Sequence, residues 1–434
     1  MTEMTTEVYP EIKEKIHEEI NFYDTITTLT SAMDLISETV IGHHKRTAYI
    51  ALKLGQQLDL NQKDLQKLVL SALIHDLGVF YLNQKFSDLK FDQPNNKHAK
   101  IGALLLEDSI LDDFSDIIKY HHTNWDESDE PAPYLGQLLY IADRISVLIL
   151  EEKPVLTQQK RINKTINHYS GTKFWPEGVE GFNQLATHEY FWLDAVSELK
   201  IQQELDNYLN NLEWSLNLQE VMEFSILTGH VIDFRSPFTA THSTGLAIIS
   251  SHLASCFNFS QKEVQTMKVA GYLHDLGKLY VPLEILNKPG KLTNNEWNIM
   301  KTHPYYTHYA LSGIDSMQTI NSWASYHHEK LNGTGYPFHL EKKDLSLGSR
   351  IMAVADIFTA LTEDRPYRQG MSYDRVEKIL NEMSQKNELD GRVVSKILDN
   401  FTEFNSLRFK VQKKCREHYD NFKQKTEKII NSTV

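Results

Sequence analysis

Two ordered sets of histidines and aspartates carry most of the chemistry this chain could do. The second half contains His242, His274, Asp275, His303, His327, His328 and Asp356. The first half contains the same series in the same order: His43, His75, Asp76, His98, His121, His122 and Asp143. Imidazoles mixed with carboxylates, without thiolates, suit first-row metals such as iron, manganese or zinc, rather than calcium, magnesium or a structural zinc. Each set exceeds the need of one ion. In the second it suits two divalent ions bridged by one carboxylate, Asp275 being the natural candidate, with places left for a hydroxide and a substrate. Two adjacent metals suit displacement at phosphorus, because one lowers the pKa of a bound water and both neutralise phosphoryl oxygens. Phosphodiester hydrolysis is the reaction class this implies. Lys278, a helical turn after His274, could add a cation for phosphate, although alone it would read as a helix-end lysine favoured by the dipole.

The elements that must position these residues are helices. The stretch "NQKDLQKLVLSALIHDLG" from Asn61 aligns without a gap on "SQKEVQTMKVAGYLHDLG" from Ser260, and at the same offset "GHHKRTAYIA" meets "THSTGLAIIS". Each copy opens on a capping side chain, Asn61 or Ser260, with an acid three residues on, Asp64 or Glu263. Apolar residues such as Leu65, Leu68 and Ala72 recur at helical spacing. Each helix runs into His-Asp-Leu-Gly, where the glycine is expected to break it. A single His-Asp pair is usually a hydrogen-bonded structural pair. Repetition of the whole ordered series argues against that reading here.

The chain has 434 residues, enough for two domains. Strand-like alternation is nearly absent, so the expected fold is all-α with two tandem helical domains, 1–215 and 216–434, the second including a packing helix from Asn405 onward. A net charge of −13 and 41% apolar residues point away from disorder and from a nucleic-acid polymer as partner. The two cysteines, Cys256 and Cys415, fit a reducing compartment. The first residues lack a basic stretch followed by an apolar core, and no run of 18 apolar residues occurs, so a cytoplasmic protein without a membrane partner is expected.

The segments "LHDLGKLYVPLEILNKPGKLTNNEW", "HHEKLNGTGYP" and "ADIFTALTEDRPYR" closely resemble the HD-GYP domains, a branch of the HD phosphohydrolase superfamily that hydrolyses cyclic dinucleotides such as cyclic di-GMP and cyclic GMP-AMP. The match covers roughly Thr228 to Val394. This resemblance implies a helical fold with a bridged di-metal centre, often iron, bound by the seven residues of the second set. It also implies a catalytic role for Asp275, contact of Lys278 with substrate phosphate, and a nucleotide loop shaped by Gly335, Tyr336 and Pro337. Arg365 is a further candidate for substrate contact, with a structural ion pair as its alternative. Three positions depart from the family pattern. Asn332 and Thr359 stand where the family has Asp, and Phe238 stands where some members have a further metal-binding Glu, which favours two metals over three.

The first copy resembles a degenerate version of the same domain. It keeps its seven ligand types, but Val79 replaces the lysine and the "GYP" and "RPYR" segments are missing. An acidic loop follows His122 where the other copy has its glycine-rich turn. A regulatory, structural or metal-dependent role is expected, with a packed relic as the alternative. For the whole chain the leading reading is a phosphodiesterase acting on a cyclic dinucleotide. The alternatives are a non-catalytic signalling module, which need not keep a hydroxide-generating centre, and an HD hydrolase of mononucleotides. A homo-oligomer or a signalling protein partner is left open.

Overall fold

The structure, a computed structural model, describes residues 19–34, 42–82, 96–126, 132–211, 214–236, 240–364 and 369–431. Its fold is helical. Among the described residues the chain forms two compact units, one from 19–240, 279–287 and the stretch from Arg416, the other from 241–278 and 288–415.

In the first unit the helix His43–Gln57 packs against Gln62–Ile74 and Tyr134–Leu148, and Lys97–Leu106 packs against Ser115–Tyr120. Leu65, Leu68 and Ala72 are buried as the periodicity predicts. Asn61 caps its helix by accepting from the Asp64 N–H at 3.0 Å. Four further helices between Gln159 and Leu209 bury Phe182, Phe191 and Trp192. Burial of each such side chain contributes about 1.5–3 kcal/mol. The window within Gln62–Leu82 has the hydropathy of a membrane span, but 78% of it is buried, as in a core helix.

A small departure from the all-α expectation is a ribbon in which Glu19–Asn21 pairs antiparallel with Ser215–Asn217. The second strand runs into Leu218–Asp233, a helix capped reciprocally by Asn217 and Glu220. The chain around residue 215 is thus tied by a ladder into the first unit, and the compact units change over at Ala240–Thr241.

In the second unit the helix His242–Cys256 packs against Gln261–Leu273 and Leu347–Thr362, and His303–Ser312 packs against Gln318–Ser325. Its Gln261–Leu273 helix has the full capping box: Ser260 Oγ accepts from the Glu263 N–H at 3.3 Å, and Glu263 accepts from the Ser260 N–H at 2.6 Å. Trp323 fills the core and donates from Nε1 to Ser346 Oγ at 3.2 Å.

Candidate metal centre

The second unit brings all seven predicted ligands into one cluster. His274 closes the helix Gln261–Leu273, and its Nδ1–H donates to the Gly271 carbonyl at 2.8 Å. The same local device holds His303 on Met300 O at 2.7 Å and His327 on Ala324 O at 2.6 Å. A carbonyl only accepts, so Nδ1 carries a proton in each ring and Nε2 is the nitrogen turned inward. His303 Nε2 and His327 Nε2 consequently face each other at 3.2 Å. Asp275 lies between the ligand sets, with Oδ2 2.9 Å from His274 Nε2 and Oδ1 3.4 Å from His303 Nε2. Asp356 Oδ1 is 3.2 Å from His242 Nε2, and its Oδ2 is 3.9 Å from His328 Nδ1. Three groups are tight enough for an ion: His303, His327 and His328; His242, His274 and Asp356; His274, Asp275 and His327.

The glycine of His-Asp-Leu-Gly has a different role from the helix breaking expected of it. Gly277 is absent from the positive-φ residues, and a Cβ there would lie 2.0 Å from the His303 carbonyl oxygen. It is glycine because the helix carrying His303 presses directly onto the His-Asp turn. Thr307 fixes that contact, accepting from the Gly277 N–H at 2.9 Å and donating to the His274 carbonyl at 3.0 Å.

The electrostatics suit a bound cation. Burial drives His303 down to about 3 and His327 down to about 4, so both are neutral imidazoles at neutral pH. Burial opposes ionisation of Asp275, but His274 and Lys278 hold its carboxyl well below the usual range. Burial also disfavours a charged His242, yet Glu363 and Asp356 overcome it and raise that ring to about 10. The pull that keeps a proton between these carboxylates would equally favour a metal ion. Asp275 Oδ1 is buried without a hydrogen bond, a costly arrangement unless a cation takes it. The donor set and its orientation therefore fit first-row metal ions.

Several neighbours were not legible as site residues. Glu363, buried two helical turns beyond Asp356, lies 3.2 Å from His242 Nδ1 and accepts from Gln412 Nε2 at 3.2 Å. Arg408 donates in turn to Gln412. The helix beginning at Phe401, expected only to pack, thus supports the cluster. Glu329, directly after the paired histidines, is buried and accepts from the N–H groups of Phe338 and Leu340 at 2.7 and 3.0 Å, which anchors the GYP loop. Its place in "HHE" was a usable signal; for Glu363 the signal was only an acid near the helix end.

Lys278 sits beside the cluster with Nζ 2.5 Å from Asp275 Oδ2. Gly335 packs on the backbone of Glu329 and Lys330, which leaves no space for a Cβ. Tyr336, preceding Pro337, donates its N–H to the His328 carbonyl at 3.2 Å and lays its ring 4.9 Å from that imidazole. Asn332 makes a local turn with Thr334 and donates Nδ2 to Lys386 O at 3.0 Å, a bond an aspartate could not make. Thr359 is buried inside its helix. Arg365 and Phe238 lie outside the described residues.

The first unit gathers its own seven predicted residues. Asp76 Oδ1 faces His98 at 3.3 Å and His121 at 3.9 Å, while Oδ2 faces His75 at 3.3 Å and His43 at 3.9 Å. Asp143 is 3.1 Å from His43 and 3.8 Å from His122. Two groups could hold an ion: His98, His121 and His122; His43, His75 and Asp76. Two further residues reach this cluster. His44 places Nε2 3.7 Å from Asp76, and the buried Arg144 donates from Nε and Nη2 to Asp143 Oδ2 at 2.9 and 2.6 Å. Both adjoin predicted ligands in sequence, the only signal they offered. Val79 is buried at the place of Lys278.

Comparison with known proteins agrees with this duplicated architecture. HD-domain family models match residues 228–393 and 40–148. A 3′3′-cGAMP-specific phosphodiesterase 1 of Vibrio cholerae is 32% identical over 86% of this chain and 90% of its own length. The corresponding phosphodiesterase 3 of that organism is 27% identical over 82% of this chain and 89% of its own. A crystal structure described as a cyclic GMP-AMP-specific phosphodiesterase of V. cholerae superposes with a TM-score of 0.60 at 22% identity, covering 88% of this chain and 98% of the other, which speaks for the fold. With two HD domains, two His/Asp clusters and the GYP loop against one of them, the chain belongs to the HD-domain family as a tandem protein of the HD-GYP branch.

Proposed function

We propose that the C-terminal HD domain hydrolyses a 3′,5′-phosphodiester bond of a cyclic dinucleotide, with 3′3′-cyclic GMP-AMP as first substrate and cyclic di-GMP as second. The observation that carries this is the pair of inward Nε2 lone pairs on His303 and His327, 3.2 Å apart beside a carboxylate with an unpaired buried oxygen. Relatives named for cyclic GMP-AMP hydrolysis align over most of the chain and support the substrate.

Two divalent ions, iron first, would be held by His242, His274, Asp275 and Asp356 on one side and Asp275, His303, His327 and His328 on the other. When bound they would supply a nucleophile at neutral pH and charge neutralisation at phosphorus. The protein's own residues do the rest. Backbone carbonyls and Glu363 fix the tautomers and ring directions of the ligands. Lys278 brings a cation to the edge of the site for a phosphate oxygen. Glu329 holds the loop that places Tyr336 over His328. Asp275 faces both ligand sets, so it is the residue whose loss costs most.

The N-terminal cluster is assigned a metal-binding but non-hydrolytic role, regulatory or structural. Its His75 and His121 Nε2 atoms and both Asp76 oxygens are buried without hydrogen bonds, which a purely packed relic would not retain. With Val79 in place of a lysine it lacks the phosphate-facing cation. A cytoplasmic location accords with Cys256 and Cys415 being thiols rather than a disulfide.

The test is to purify the full chain anaerobically, measure metal per chain, and follow several cyclic dinucleotides by chromatography. Turnover should disappear in Asp275→Ala and persist in Asp76→Ala, each variant losing part of the metal. Full activity in Asp275→Ala would refute the proposal.

A further inference from the structure

The helix Asn294–Met300 is unusual for its surroundings: none of its residues is buried. It is held by charge and capping rather than by packing. Thr293 Oγ1 accepts from the Glu296 N–H at 3.3 Å, Glu296 accepts from the Thr293 N–H at 2.7 Å, and Lys288 Nζ binds both Glu296 oxygens at 2.8 and 2.6 Å. On this helix Trp297 is 45% exposed, so its large apolar ring is not needed to fix the fold. A lone exposed hydrophobic residue would call for no explanation. Trp297, however, continues an aromatic row that starts at the metal cluster. His328 lies 4.9 Å from the Tyr336 ring, and Tyr336 lies edge-on to Trp297 with centroids 6.1 Å apart and planes at 78°.

Resting on the function proposed above, we infer that Trp297 is the stacking platform for one purine base of the cyclic dinucleotide. The chemistry fits on three counts. A phosphate on the cluster would sit beside Lys278 and His328, so a base attached through its ribose must lie a few ångströms further out, where this row leads. A purine offers a π-face of about the area of an indole, and its transfer from water onto that face is favourable whichever purine it is. The ring is held beside Tyr336 on a short, capped helix, so little ordering is required on binding. Tyr336, pressed against His328, takes the inner place, and Trp297 takes the base.

The test compares full-length wild type, Trp297→Ala and Trp297→Phe for hydrolysis of 3′3′-cyclic GMP-AMP, with metal per chain measured on each. Loss of one stacked base should raise KM about ten- to a hundredfold in Trp297→Ala. Metal content should be unchanged, kcat should move far less than KM, and Trp297→Phe should recover most of the loss. An unchanged KM overturns the inference. So does a loss that falls on kcat or metal content, which would mark a structural role, and so does a failure of phenylalanine to rescue. A wild-type chain that cleaves no cyclic dinucleotide refutes the proposed function itself, a result distinct from an active wild type with an indifferent Trp297→Ala.

Discussion

Replacing Gly277 by alanine tests the close approach of the His303–Ser312 helix to the His-Asp turn. The added Cβ would stand 2.0 Å from the His303 carbonyl oxygen, 2.9 Å from its carbon and 2.8 Å from the Thr307 nitrogen. All three are backbone atoms, so no side chain can rotate out of the way. Relief requires the His303–Ser312 helix to retreat by about 1 Å or more, against a close-packed interior. Overpacking of this kind costs about 1–3 kcal/mol. For a unit of this size, 2 kcal/mol lowers Tm by about 4–8 °C. The retreat also draws His303 from Asp275 and loosens the Thr307 bonds, and a shift of about 1 Å in catalytic geometry can cost a hundredfold in rate. Gly313, at the other end of the same helix, is the control: a Cβ there meets nothing within 4 Å, so Gly313→Ala should melt like wild type or slightly higher. Thermal melts and cyclic dinucleotide turnover should be measured on both. If Gly277→Ala matches Gly313→Ala in melting and turnover, the close-approach argument is wrong.

Two further outcomes follow from the charges. Glu363→Gln keeps the shape of the support behind His242 but removes the charge that raises that ring, so metal affinity should fall about ten- to a hundredfold while saturating metal restores turnover; a metal titration with unchanged affinity would remove Glu363 from the account. In the first unit burial, assisted by His418, drives His230 down to about 3, so the unfolded chain binds the extra proton below about pH 6.5. Stability must then fall as pH drops from there, by at most about 1.4 kcal/mol per pH unit from this group. His230→Phe, which can keep the stack on Phe234, should flatten the decline of Tm between pH 7 and 5, and identical slopes in the two proteins would contradict the assignment.

Much of the site was legible because its parts are local. The predicted histidine ligands lie in short motifs at helix ends, Asp143 and Asp356 lie inside apolar helices, and the i−3 carbonyls that orient His274, His303 and His327 come from the same turn as the ring they hold. Helix starts were equally local, as the Ser260 and Glu263 capping box illustrates. Repetition of the ordered series then announced two clusters, and both are assembled. Other supports act across the chain. Glu363 meets His242 and Gln412, and the ribbon joins Glu19–Asn21 to Ser215–Asn217, through separations that carry no periodic signal. Gly277 is the sharpest case. Its sequence setting suggested a helix terminator, whereas its reason is the approach of another helix's backbone. The sequence alone determined which donors exist and how His274, His303 and His327 are turned by carbonyls of their own turns. Only the packing of distant helices decided how closely those donors converge, which neighbours support them, and where the aromatic row to Trp297 opens, because such contacts depend on tertiary distances that local spacing does not encode.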